Sequence, residues 1–255
     1  MGNPSKDHPW EKIFSEYGIH NHDFNLQPFT INAQQIKSAC QDFTKTAEKE
    51  VRILCYQANR KDKPQVFLDR GVFLLPIKNG EYKIVKGEGY TDIPEISSPP
   101  IEFKSSLDFP LVSSLVGSSE MQHLDYAHAT GLIEYFVGEG KLVLTIRGRK
   151  YTPEFEFKVG KHHITQKGVQ TEVDAGFEGK EVVVLIEAKN QKMDNIIIRQ
   201  LYYPYRKWGI DTQKTVIPLF FEKRENEYMM WKYEFTDESD YNSLRLVKSE
   251  KYIIS

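Results

Sequence analysis

The chain has 255 residues, enough for one large domain or two modest ones, and its 34 Lys and Arg against 36 Asp and Glu leave a formal charge of -2. That balance excludes attachment to nucleic acid by bulk positive charge, while leaving room for a local basic groove. Cys40 and Cys55 lack metal-type spacing, and with no N-terminal signal pattern and no apolar run of membrane length the expectation is a soluble cytoplasmic protein with reduced thiols.

In chain order, residues 1–25 are mixed and polar and predict a poorly ordered lead-in, with Trp10, Ile13, Phe14 and Tyr17 as a short amphipathic helical patch. Residues 30–50 read as a helix, with Ile36, Cys40 and Phe43 at helical spacing. Short strands are predicted at 51–56, 65–68, 71–77 and 81–85, the last two joined by an Asn79-Gly80 hairpin turn. Residues 87–111, rich in Pro, Ser and Gly, divide an N-terminal α+β module over 1–110 from a second domain over 111–255.

Ser118-Ser119-Glu120 then opens a helix carrying Met121, Leu124, Ala127, Leu132, Ile133 and Phe136. Residues 141–147 predict a strand with Leu142, Leu144 and Ile146 on one face, and 154–159 its hairpin partner. Between them Arg147-Gly148-Arg149-Lys150-Tyr151 forms the densest basic cluster of this half. On a glycine-loosened turn such cations can approach phosphates and supply salt-sensitive affinity; the plainer alternative is a solvated turn.

The stretch from Gly168 to Trp208 organises the rest. Residues 169–174 alternate apolar and polar, the mark of a half-buried strand. A turn with two glycines follows, and then Val182 to Ile186, five consecutive branched residues that predict a strand buried on both faces. That strand ends in Glu187-Ala188-Lys189. A charge at the end of a buried strand is costly unless paired or bound to a metal. Glu187 and Lys189 share one face of the strand, and in a hairpin Asp174 approaches Glu187. Two carboxylates about 4 Å apart repel by roughly 4 kcal/mol at an effective dielectric near 20. A divalent cation removes that repulsion, and Mg²⁺ binds through one or two carboxylates plus phosphate oxygens.

Other Glu-x-Lys triplets occur, at Glu81, Glu102, Glu139, Glu156 and Glu178; what separates Glu187 is the apolar strand before it, the Asp-headed hairpin upstream and the helix downstream. The alternative is a strand ending in solvated charges, with Asp174 merely opening a turn. The predicted helix 193–208 carries Ile198, Leu201, Tyr202, Tyr205 and Trp208 on one stripe, leaves Arg199, Gln200, Tyr203, Arg206 and Lys207 on other faces, and contains Pro204, which should kink it. Strands at 216–221 and 228–235 follow.

Asp174, twelve residues, then Glu187-Ala188-Lys189 resembles the catalytic signature of the PD-(D/E)XK nucleases, with Val173 where that family carries Pro. The order helix, strands, Asp strand, Glu-x-Lys strand, helix, strand spans residues 118–222. Within it, Glu-Ala-Lys-Asn followed by Ile-Arg-Gln-Leu-Tyr-Tyr-Pro-Tyr-Arg looks like a group of type II restriction endonucleases. The resemblance implies an α/β (α+β) fold with a mixed central sheet flanked by helices and a smaller N-terminal α+β module that serves DNA recognition or dimerisation. It implies Asp174, Glu187 and Lys189 as catalytic residues, and Asp174 and Glu187 as Mg²⁺ ligands. An acid on the preceding helix completes the set: Glu120, with Asp125 and Glu134 equally permitted. Arg147, Arg149, Lys150, Arg199 and Gln200 are the candidate DNA contacts. Glu172 shares a face with Asp174 and can assist.

His162-His163 are adjacent, so in a strand they would face opposite ways; a solvated turn is the reading preferred here, and His123 and His128 lack a zinc arrangement. The expected activity is Mg²⁺-dependent, site-specific hydrolysis of double-stranded DNA by a restriction enzyme. A palindromic site implies a homodimer. The alternatives are a structure-selective or repair nuclease of the same fold, a DNA-binding module that no longer cuts, and an interaction domain with no nucleic-acid partner.

Overall fold

The computed structural model describes residues 2–255. The N-terminal helix α1 (Pro4–Glu16) has Pro at its start, where a missing amide costs nothing, and an Asn3 side chain that accepts from Ser5 N. Its Trp10, Ile13 and Phe14 are fully buried. The expected loose lead-in is thus an ordered helix, because its apolar stripe finds a core. Trp10 packs edge-on against Phe67 at 4.7 Å between ring centroids.

The remaining elements of this half are β1 (Phe29–Asn32), α2 (Ala33–Ala39), α3 (Thr46–Lys49), α4 (Val51–Leu54), α5 (Gln65–Arg70), β2 (Val72–Lys78) and β3 (Glu81–Lys86). The single helix expected over 30–50 is divided. Asn32 ends β1 and caps α2 in a reciprocal box with Gln35, so strand gives way to helix at that residue. Two expected strands, 51–56 and 65–68, are instead the short helices α4 and α5; runs this short carry no decisive period. Gly71, left-handed at φ 60°, ends α5. The Asn79-Gly80 hairpin joins β2 and β3 as expected, with Gly80 at φ 76°. These strands form a three-stranded sheet in the order β1-β3-β2.

The chain continues through β4 (Tyr90–Asp92), β5 (Ile101–Phe103), α6 (Glu120–Ala129), α7 (Leu132–Val137), β6 (Val143–Tyr151), β7 (Phe155–Val159), β8 (His162–Gln166), β9 (Gln170–Glu178), β10 (Val182–Lys189), β11 (Asn195–Ile197), α8 (Arg199–Thr212), β12 (Thr215–Arg224), β13 (Glu227–Phe235) and β14 (Leu244–Ile254). A seven-stranded mixed sheet runs β5-β14-β13-β12-β10-β9-β6, with β10 parallel to β12 and β14 parallel to β5. Ser119 caps α6 as expected, accepting from Gln122 N, while the left-handed Gly131 divides the predicted helix into α6 and α7. No helix among the described residues is long and apolar enough to cross a membrane.

Two pairings differ from expectation. Residues 154–159 do not return against 141–147; β7 pairs with β8 in a separate hairpin, and β6 pairs with β9. Residues 147–151 accordingly lie in strand β6 and not in a turn, and His162 and His163 lie in β8, the first buried and the second exposed.

Apolar residues cover both faces of the sheet. Val182, Val184, Ile186 and Ala188 of β10 join Leu124, Leu132, Ile133 and Phe136 of α6 and α7 on one side. Val183 and Leu185 turn to the other face with Ile146, Val173 and Val216, against which Tyr205 and Trp208 of α8 pack. The alternation puts Glu187 and Lys189 on the α8 face, where the apolar run stops. The helix α8 carries Pro204 inside it, and Tyr203, expected on an outer face, is fully buried and donates from Oη to the Pro76 carbonyl at 2.8 Å.

Candidate active site

The register of β9 against β10 pairs Ala175 with Ile186 as its last position, so Asp174 and Glu187 stand at the next one, where the ladder opens. The strand runs on to Glu178, which leaves a shorter turn than the glycines suggest. A bulge sets the direction of Asp174. Between the pairs Gly148 with Val173 and Ile146 with Gly176, β6 advances two residues while β9 advances three. The extra residue bends β9 beside the site, as bulges near functional residues do. Gly176 is required at this place, because a Cβ there would lie 2.6 Å from that of Ile146. Past the last ladder pair Asp174 Oδ2 accepts from Ala188 N at 2.7 Å, binding its carboxylate to the edge of β10.

Glu187 is 8 % exposed, and its Oε1 accepts from Lys189 Nζ at 2.5 Å and from Gln200 Nε2. Lys189 also donates to its neighbour's carbonyl, Ala188 O, at 2.7 Å. Burial is the main influence on both carboxylates. It raises Asp174 above the usual carboxylate range against the pull of the Ala188 amide and Lys189. In Glu187 burial and the nearby Asp174 and Glu120 outweigh Lys189, so its pKa is pushed up to about 7. For Lys189 burial acts downward, but Glu187, Asp174 and Glu120 overcome it and hold the ammonium above its ordinary value. The lysine is therefore a cation at neutral pH.

These groups line a cavity of about 400 Å³ with Glu120, Glu172, Arg199 and Gln200. Glu120 reaches it because α6 begins at the rim, where Asn190 Nδ2, just beyond β10, donates to the Ser118 carbonyl. The two other acids permitted by sequence are engaged elsewhere, Asp125 with Arg147 and Glu134 with His128. Gln200 Oε1 and Arg199 Nε are buried without hydrogen-bond partners. A buried polar atom in that state is costly, and such atoms are uncommon in folded chains.

Of the candidate DNA contacts, Arg199 and Gln200 come to the site with the first turn of α8, while Arg149 pairs with Glu172 at 3.2 Å and Lys150 is exposed along β6. Lys207 and Arg206 are occupied by Asp211 and by the Glu156 and Glu238 carbonyls. Among the described residues no three His, Cys, Asp or Glu side chains converge as a self-sufficient metal nest. Asp174 and Glu187 nonetheless suit a hard divalent cation that draws two protein oxygens and completes its shell from water and substrate, the manner of Mg²⁺.

Sequence reasoning missed Tyr56, which reaches the same cavity from the N-terminal half. Reading residues 51–56 as a strand hid it, since only the contact between the halves brings that turn to the site.

The geometry defines a mixed α+β protein with a buried, acid-rich corner at the end of its central sheet. Residues 85–253 match a family described as a domain of unknown function, DUF6997, and the chain belongs to that family; residues 7–84 match a second, DUF6996, also described as a domain of unknown function. No curated protein and no solved structure matches the chain.

Proposed function

We propose that this protein is a Mg²⁺-dependent endonuclease of the PD-(D/E)XK kind that hydrolyses phosphodiester bonds of double-stranded DNA at specific sites, as a type II restriction enzyme does. One observation carries the reading: Asp174 and Glu187 stand at the first open position of the β9–β10 ladder, with Lys189 on the same face as Glu187 and all three at one cavity. Buried like charges so close are unfavourable without a counter-charge, and Lys189 provides it in the structure as it stands.

In this reading Asp174 and Glu187 hold the cation, with Glu120 as the third acid at the rim. When bound, the cation would polarise the scissile phosphate and lower the pKa of the attacking water. Lys189 is protonated, so it acts as a charge: it orients the water and neutralises the phosphate as the new P–O bond forms and the bond to the leaving oxygen breaks. Gln200, amide to Glu187 and carbonyl unpartnered, fixes the Glu187 carboxylate. Arg199, Arg149 and Lys150 supply phosphate contacts along the cleft. Two-fold symmetric sites would be cut by a homodimer.

Purified protein incubated with unmethylated phage DNA, with Mg²⁺ and with a chelator, tests this. Discrete Mg²⁺-dependent fragments are expected. A smear would favour a repair or nonspecific nuclease, and binding without cleavage an inactive DNA-binding module.

A further inference from the structure

The turn over residues 54–58 is held more firmly than its position at the surface requires. Trp10 Nε1 donates to the Leu54 carbonyl at 3.1 Å, Lys6 Nζ to that of Tyr56, Tyr90 Oη to that of Gln57 at 3.1 Å, and Ile197 N to that of Ala58 at 2.8 Å. Four anchors thus come from α1, β4 and β11. The Lys6 anchor is the telling one: this lysine is 4 % exposed, and burying an ammonium is unfavourable unless it is well bound. What the anchors fix is a pair of side chains of opposite kind. Tyr56 presents its ring at 58 % exposure, whereas Gln57 is 3 % exposed with both Nε2 and Oε1 lacking any hydrogen-bond partner.

Both side chains line a cleft of about 640 Å³ between the N-terminal half and the sheet. Arg52, Lys78, Arg149 and Arg199 line it too, against one acid, Glu172, so the cleft suits an anionic ligand. Its volume is within the roughly 300–1,000 Å³ of sites that enclose small molecules. Tyr56, Glu172 and Arg199 are shared with the cavity that holds Asp174, Glu187 and Lys189, so the two spaces meet.

We infer that Tyr56 and Gln57 form a base-reading site, which receives one adenine turned out of the DNA stack beside the scissile phosphate. The inference rests on the nuclease reading above. An aromatic ring stacks on any base, and so contributes affinity with little selectivity. The carboxamide offers one donor beside one acceptor; met by the edge of the base that carries N7, it matches the N6 amino group and N7 of adenine and mismatches the O6 and N7 acceptors of guanine. The anchored backbone keeps the pair in place before DNA arrives, and the amide has no protein partner to give up when a base binds.

The test is DNA binding in EDTA, read by fluorescence anisotropy on the duplex that the wild-type protein selects from a randomised pool. Gln57→Leu should melt no lower than wild type, since it removes an unpaired amide. It should lose roughly 5- to 150-fold of its preference for adenine over guanine at one position, with affinity for unrelated DNA within about twofold. Tyr56→Ala should weaken binding about tenfold and Tyr56→Phe should not. Gln57→Glu, which keeps the shape, should shift that position toward cytosine. Unchanged preference in Gln57→Leu, or, where that variant does not fold, in Gln57→Glu, overturns the inference. A wild type that cuts DNA while these variants keep their preference defeats this inference alone; a wild type that binds no DNA defeats the nuclease reading with it.

Discussion

Two glutamates end neighbouring parallel strands of the central sheet, and they have opposite surroundings. Glu222 of β12, in register with Lys189 of β10, is 0 % exposed; its Oε1 accepts from Met193 N at 2.8 Å and its Oε2 from Arg224 Nε at 2.7 Å and also from Nη2. Both oxygens have partners, the neighbouring Glu95 carboxylate is bound to the same Arg224, and the bonds hold the loop that follows β10. Glu187 is almost as buried, but its Oε1 takes both of its hydrogen bonds, Asp174 adjoins it, and it borders a cavity of about 400 Å³. Burial raises the pKa of both. Buried charge by itself therefore does not mark a site. Incomplete satisfaction, a like charge alongside and open space together do.

The largest separation between the two corners should appear in catalysis. Lys189→Ala should reduce Mg²⁺-dependent cleavage by about 10³-fold or more while DNA binding stays within about tenfold, because it removes charge stabilisation of the transition state and little phosphate attraction. Arg224→Ala, the corresponding change beside Glu222, should leave cleavage per folded molecule near wild type. Single-turnover rates on a defined duplex measure both, and full cleavage by Lys189→Ala would remove that residue from the mechanism.

Stability should separate them in the reverse sense. Glu222→Ala strands the Met193 amide and leaves Arg224 only its more exposed partner Glu95, a loss that costs roughly 2–3 kcal/mol. Glu187→Gln keeps the shape and replaces a carboxyl already displaced toward its neutral form, so at pH 4.5, where that carboxyl is protonated in the folded state, unfolding in urea should change by less than about 1 kcal/mol, and above pH 7 the variant should be the more stable. A large loss in Glu187→Gln would make that residue a structural ion-pair member like Glu222.

The same contrast explains what the sequence reveals. The five branched residues of β10 and its charged end are local patterns and appear as read; the Asp174 hairpin also forms, but β9 runs through the expected glycine turn to Glu178. The bulge that turns Asp174 is not local; it depends on β6 pairing with β9, whereas proximity in sequence suggests that β6 pairs with β7. Glu222 looks like any acid after an apolar strand, and its satisfaction comes from Met193 and Arg224 in the fold. Tyr56 and Gln57 were concealed for a different reason. The run 51–56 is too short to decide between periods of 2 and 3.6, and its role arises from anchors at Lys6, Trp10, Tyr90 and Ile197. The Arg147 to Lys150 cluster is legible as charge, but its partners Asp125 and Glu172 lie on α6 and β9.

Titration sharpens the comparison by a smaller amount. In EDTA the folded Glu187 has a pKa of about 7 against an ordinary 4.5, so between those values the folded state binds more protons than the unfolded state. Stability contributed by this group is therefore full below pH 4.5, falls by up to about 1.4 kcal/mol per pH unit as pH rises, and levels off above 7. Glu222 adds a slope of the same sign. The difference between wild type and Glu187→Gln isolates the Glu187 share, and two parallel stability–pH curves would show that Glu187 is ionised throughout.

The smallest effect belongs to the rim. Arg149 and Glu172 form a pair with side chains 64 % and 56 % exposed, and exposed pairs of this kind contribute less than about 1 kcal/mol. Arg149→Ala should accordingly leave the urea midpoint almost unmoved. Its guanidinium is cheaply released to a phosphate, however, so the slope of log affinity for duplex DNA against log salt should become shallower by about one. Glu172→Gln should act oppositely on affinity, by freeing the same arginine. If neither variant changes the salt slope, the cleft's positive rim takes no part in holding DNA, and the contacts would have to come from Arg199 and the N-terminal half.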